Sequence, residues 1–177
     1  DFDYARALER TEQFFWSFTD DYVELVKARA YGSRGAEAAA SAHASLTTAL
    51  DTLLQLFAPF LPFVTAEVWS WAHRESIHRS QWPDHQSLSS QLDPTNKAAV
   101  LVAAAQTLSE VRKAKTEAKR SLRVMAEKVV VTATRERLEL IELVRSDLME
   151  AGHISALELV EQDNVDTQVQ VTLAPDE

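Results

Sequence analysis

The sequence predicts a mainly α fold: an antiparallel helical bundle over residues 1–125, followed by a small β-α-β-β subdomain over residues 126–177. Three observations carry this. In the first two thirds of the chain, apolar side chains recur at three- and four-residue steps, the spacing of one helix face. In the last fifty residues, KVVVTA and QVQVTL change to β-branched and alternating patterns. Between the helical stretches stand residues suited to sharp reversals, Gly32 and Gly35 and then Pro59 and Pro62.

Residues 3–31 form the first predicted helix, with Leu8, Phe15, Phe18, Tyr22, Leu25 and Arg29 on one face and Phe14 and Trp16 beside it. Gly32, Ser33 and Gly35 end it as a C-cap and turn. A second helix over residues 36–57 starts alanine-rich and then presents Leu46, Leu50, Leu53 and Phe57 on one stripe. The run LLQLFAPFLPFVTAEVWSW, residues 53–71, is the most apolar in the chain. Its length suits a membrane span, but Pro59 and Pro62 argue against one, and a corner at residues 58–61 between two helices is expected instead. Side chains on both sides of that corner are expected to form the centre of the core. Val64, Val68 and Trp71 mark a third, shorter helix ending near Arg74.

Residues 75–96 lose periodicity. Residues 77–79 read as a short strand, Gln81-Trp82-Pro83-Asp84 as a turn held by a packed tryptophan, and residues 87–96 as a polar loop. Asp93-Pro94 or Thr95 then starts a fourth helix over residues 97–119, striped by Leu101, Ala104, Leu108, Val111 and Ala118. Residues 128–133 read as a strand and residues 135–150 as one amphipathic helix capped by Gly152. Residues 156–161 and 168–173 read as two further strands, joined by a turn at Asp163-Asn164.

With 46% hydrophobic residues the chain can bury a real core, and with no cysteines it holds neither disulfides nor thiolate metal sites. The net charge is −9, yet residues 101–128 carry 7 basic against 3 acidic side chains, a basic island in an acidic protein. The local field of that island matters more for partners than the total. Cysteine-free composition and the absence of a visible signal peptide fit a cytoplasmic location.

Of Asp20, Asp21 and Glu24 at most two share a helix face, so structure or ion pairing is expected there and no catalytic residue. His43, His73, His78, His85 and His153 show no paired ligand spacing, so no metal site is expected. Lys27, Arg29 and Arg34 cluster at the end of the first helix, where cations also suit the helix dipole, and Tyr31 beside them offers a ring for base stacking. On the fourth helix Arg112, Lys119, Arg120 and Arg123 fall in one arc beside the apolar stripe, with Lys113 and Lys115 at its margins and Glu110 and Glu117 on the other side. An arc not neutralised by its own helix suits phosphate contact, and a solvated face is the plainer alternative.

Two segments then resemble a known family. FFWSFTDDYVELVKARAYG, residues 14–32, and the proline-broken run resemble the C-terminal anticodon-binding domain of class I aminoacyl-tRNA synthetases, the valyl family in particular. Gln81-Trp82-Pro83 and VRKAKTEAK, residues 111–119, resemble later segments of the same domain in the same order. The resemblance covers residues 3–125. The tail at residues 128–174 fits in position but carries no motif. Ala66 stands where the family usually has glutamate and Asp21 where tryptophan is common, so neither carries a role across.

The resemblance implies a piece of a larger enzyme, with the catalytic and editing domains and the first bundle helices outside this sequence; the family often adds a C-terminal coiled coil, and nothing heptad-like follows Leu173 here. The chain itself would catalyse nothing and hold no cofactor. ATP and magnesium would act in the parent's catalytic domain, which would also be a partner. The partner of this chain would be the anticodon arm of valine-specific tRNA, with Arg112, Lys113, Lys119 and Arg120 on phosphates and Lys27, Arg29 or Tyr31 on bases. The isoleucyl equivalent of this domain and a protein-interaction bundle are the alternatives. Self-association through the Phe14–Phe18 face is expected if leading helices are missing.

Overall fold

The computed structural model describes residues 3–90, 98–163 and 165–175. Helix α1 (Tyr4–Ser17) opens on Asp3, whose side chain accepts the Arg6 backbone N–H at 3.0 Å, a conventional N-cap. It runs into a π-turn (Phe18–Tyr22) and on into α2 (Val23–Ala30). The single predicted helix is therefore present but interrupted by one wider turn. Helix α2 ends on a Schellman motif: Ser33 N–H reaches the Ala28 carbonyl at 3.1 Å, with Gly32 left-handed at φ 87°.

Helix α3 (Ala36–Phe57), the proline corner and α4 (Pro62–Ser70) follow in the predicted order. Pro62 sits in the first turn of α4, where its missing N–H costs nothing. Thr65 hydroxyl donates to the Leu61 carbonyl at 2.8 Å. Three expectations for this stretch and the next give way. Residues 77–79 form a 3-10 turn and not a strand, and part of the expected loop is helix α5 (His85–Ser90). Asp84 starts that helix by accepting the Gln86 and Ser87 N–H groups, a signal with the same chemistry as any N-cap. Trp82 does not hold its turn by packing, since it is mostly exposed. The start of the fourth helix at residues 93–97 lies outside the described residues.

Helix α6 (Ala98–Glu117) is the axis of the molecule. Ala103, Ala104, Thr107, Leu108, Val111 and Lys115 are buried along it. Ala118 lies past its end and is exposed, so it is not part of the stripe. Strands β1 (Ala126–Ala133), β2 (Leu157–Glu161) and β3 (Gln168–Leu173) form a sheet in the order β2-β1-β3. β1 pairs parallel with β2, Val129 opposite Leu157, and antiparallel with β3, Val131 opposite Val169. The expected helix over residues 135–150 is two helices, α7 (Arg135–Glu142) and α8 (Arg145–Gly152), broken at Val144, whose φ of −120° and ψ of 16° leave the helical region. The break lets α7 lie against the sheet while α8 packs on α2 and α6. The turn expected at Asp163-Asn164 falls partly outside the described residues.

The main core joins both predicted subdomains. Leu25 of α2 and Ala104, Leu108 and Val111 of α6 share one buried cluster with Val129, Val131, Ile141 and Leu148. The proline corner holds only a satellite cluster of Ala58, Trp69 and Ile77, with Leu54 and Ala66 against it. The expectation that the corner is the centre of the core is thus corrected. Helix α4 is apolar on all sides and finds partners on one, leaving Phe63 90% and Trp71 73% exposed. Its buried residues are Thr65 and Trp69, not the predicted Trp71.

Candidate nucleic-acid interface

Helices α2 and α6 each deliver one of the two predicted basic clusters, and α8 ties both down. From the first cluster, Arg29 Nη2 lies 3.3 Å from Asp147 Oδ2, and Arg34 pairs with Asp147 Oδ1 and, at 3.6 Å, with Glu150. Ser33 adds a hydroxyl bond to Glu150 at 3.1 Å. Asp147 is a nearly buried carboxylate on α8, and two guanidinium groups compensate the desolvation of its charge. Arg29 and Arg34 therefore fasten α2 and its following turn to α8. Lys27 stays outside, 3.1 Å from Glu24 on its own helix, and Tyr31 is 85% exposed at the rim.

On α6 the predicted arc splits by depth. Lys115 is 1% exposed, and its ammonium donates to the Gly152 carbonyl at 2.7 Å and the Leu122 carbonyl at 3.0 Å. Burial lowers its pKa below that of an ordinary lysine, because the charged form has lost its water. Lys115 therefore faces inward, where the charge pattern places it at the margin of the arc. Arg112 is half-buried and gives Nη1–H to the Asp20 carbonyl at 3.0 Å, with Asp21 at 3.9 Å. That carbonyl belongs to the π-turn, where the wider turn alters the regular hydrogen-bond ladder. Arg120 donates to the carbonyls of Ala174 and Pro175, pinning the chain that leaves β3.

Lys113, Lys119 and Arg123 remain on the surface. Lys113 lies 3.7 Å from Glu110, and among the described residues neither Lys119 nor Arg123 pairs with a carboxylate. Of the ten predicted contact residues, Lys27, Tyr31, Lys113, Lys119 and Arg123 thus present their side chains outward. Arg29, Arg34, Arg112 and Arg120 are partly exposed and also tie elements together, and Lys115 is an internal fastener. Asp147 and Gly152, which anchor the two clusters, are five residues apart on α8, about 7 Å along its axis. Helix α8 therefore holds residues of both clusters, which lie some eighty residues apart in sequence.

Sequence reasoning missed the apolar surface that the proline corner exposes. Leu61, Phe63, Val64, Trp71 and Trp82 are exposed around the proline corner, although their composition signals a core. It also missed that Lys119 adopts a left-handed backbone, φ 55°, for which a lysine gives no signal. Among the described residues, no three histidine, aspartate or glutamate side chains converge as a metal would require. Nor is any helix among them long and apolar enough to cross a membrane.

Residues 1–131 match the protein family described as the anticodon-binding domain of tRNA ligase. A valine–tRNA ligase of Thermobifida fusca (strain YX) is 47% identical over 177 residues, covering 100% of this chain and 20% of that protein. One from Salinispora arenicola (strain CNS-205) is 43% identical over 92% of this chain and 20% of its own length. One from Leifsonia xyli subsp. xyli (strain CTCB07) is 40% identical over 99% of this chain and 20% of its own. The chain spans about one fifth of the length of these curated relatives.

Proposed function

The chain belongs to the family of anticodon-binding domains of tRNA ligases, and from that membership we propose that it holds the anticodon arm of a valine-specific tRNA. The observation that supports this most is that the matched region contains both basic clusters, that α8 holds residues of each, and that the ring of Tyr31 stands exposed within the first. Lys27, Lys113, Lys119 and Arg123 neutralise phosphates and set the register of the arm. Tyr31 offers a face on which an unstacked base rests, the usual way a protein meets single-stranded RNA. Arg29, Arg34 and Lys115 keep the surface in shape from beneath.

In this reading the chain positions RNA and performs no bond chemistry. The longer protein would join valine to its tRNA, using ATP and magnesium at parts beyond this chain, in the cytoplasm where translation runs. The test is binding of valine-specific and isoleucine-specific anticodon stem-loops at two salt concentrations. Three or four phosphate contacts give a slope of log affinity on log salt of about −2 to −4. A preference for the valine loop with that slope supports the reading. A flat slope, or equal affinity for both loops, overturns it. Valine-dependent ATP–pyrophosphate exchange by this chain alone is expected to be nil.

A protein-docking reading draws on a different face, the exposed Phe63, Val64 and Trp71 of α4. It predicts binding nearly insensitive to salt and indifferent to Lys113 and Arg123. It also predicts concentration-dependent self-association lost in Phe63→Ser.

A further inference from the structure

Three helices of this protein end in the same hydrogen-bonded motif, and they treat its critical residue differently. In a Schellman ending the residue after the cap turns left-handed, where glycine is favoured because a Cβ crowds the following carbonyl. Helix α2 follows that preference with Gly32 at φ 87°. Helix α6 does not. Its motif is complete, Arg120 N–H to the Lys115 carbonyl at 2.9 Å and Lys119 N–H to the Thr116 carbonyl at 2.9 Å, yet the left-handed residue is Lys119 at φ 55°. Helix α8 ends likewise, with Ile154 N–H on the Met149 carbonyl and His153 at φ 48°. A side chain held in a costly backbone well points to a use for that side chain.

The turn after α6 is over-determined in a way that suits such a use. Lys115 supports it from inside through the Leu122 carbonyl. Ser121 braces it locally, its carbonyl accepting the Val124 N–H at 3.0 Å and its hydroxyl the Arg123 N–H at 3.3 Å. Arg120 ties it to the end of β3. The two side chains left projecting are Lys119 and Arg123, both exposed and, among the described residues, without a carboxylate partner. Leu122 and Met125 between and beyond them are half-exposed apolar surface of the kind a sugar edge covers.

We propose that residues 118–123 form a pre-set phosphate grip, in which Lys119 and Arg123 close on a phosphodiester of the bound RNA and Lys115 is the positioning residue that fixes their spacing. This rests on the anticodon-arm reading and assigns one local site within it. Fixing the backbone that carries both cations before binding removes the part of the ordering cost that a flexible turn would add on association. Because the strain belongs to the side chain at Lys119 and not to the turn, folding and binding are predicted to move in opposite directions when it is removed.

The experiment compares the intact chain with Lys119→Gly, Lys115→Met and the double variant. Each is measured for thermal unfolding and for binding to the valine anticodon stem-loop across salt. Lys119→Gly should melt at the same or a higher temperature, bind roughly fivefold more weakly, and lose about 0.7–0.9 from the salt slope, the signature of one phosphate contact. Lys115→Met should weaken binding too, but by much less in the Lys119→Gly background, because its effect passes through Lys119. A folded Lys119→Gly protein with unchanged affinity and slope overturns the grip while leaving the anticodon reading intact. An intact chain that does not bind the stem-loop overturns both.

Discussion

The α6–sheet region and the proline corner are the two most apolar parts of this molecule, and only the first closes. Around α6 a single buried face meets partners on several sides: the sheet, α7, α8 and Leu25 of α2. At the corner, α4 offers apolar side chains all round and, among the described residues, packs chiefly on α3 and the 3-10 turn, so Trp69 is buried and Trp71, two residues on, stands in solvent. Successive helical residues diverge by about 100°, so one layer of neighbours covers only part of such a helix. Apolar content therefore says how much surface a segment has to bury, and the number of partners decides whether it is buried.

The largest effect that tests this contrast belongs to Leu108→Ala, at the centre of the closed core and fully buried. It should cost about 3 kcal/mol in urea unfolding, a fall in melting temperature on the order of 10 °C. A loss under about 1 kcal/mol would move the centre of the core elsewhere. Gly152→Ala is next. An added Cβ would sit 2.8 Å from Ile154 Cδ1 and 2.9 Å from its Cγ1, and crowding of that kind costs about 1–3 kcal/mol. The same exchange at an open position would be nearly silent, so thermal melts check whether α8 is pressed as tightly against this region as the structure shows.

A smaller effect sharpens the comparison through pH. Burial lowers the pKa of Lys115 inside the closed region, so at pH values approaching the ordinary lysine range from below, the unfolded chain holds this proton more firmly than the folded one. Stability should rise with pH across that window, relative to a Lys115→Met protein, which lacks the proton. A difference that falls with pH would show that the two carbonyls favour the ammonium by more than its lost hydration. The smallest effects are expected at the corner: Phe63→Ala and Trp71→Ala should each change stability by no more than about 0.5 kcal/mol, since both side chains are already in water. A cost of several kcal/mol at either would break the contrast.

Much of the site was legible in the sequence as chemistry, and little of it as depth. Lys113, Lys119 and Arg123 project as the charge pattern suggests, whereas Lys115, in the same pattern, lies under the surface with its ammonium on two carbonyls. Arg29 and Arg34 look like ligands until Asp147 and Glu150, more than a hundred residues away, are brought against them. The caps show the same limit. Gly152 looks like a left-handed cap and is instead the residue before it, kept small by Ile154, while His153 takes the left-handed position.

The sequence by itself determined the elements: Asp3 starts α1, Gly32 ends α2, Pro62 opens α4, a β-branched run marks β1 and alternation marks β3. Each of these is set within a few residues, because helix and turn bonds close over three to five positions and strand faces alternate residue by residue. Only the tertiary structure decided which apolar face was covered, where the helix over residues 135–150 broke, and which cations became fasteners. Those outcomes depend on groups distant in sequence arriving at one place, where loss of water raises the cost of an unpaired charge or a gap far above any local preference.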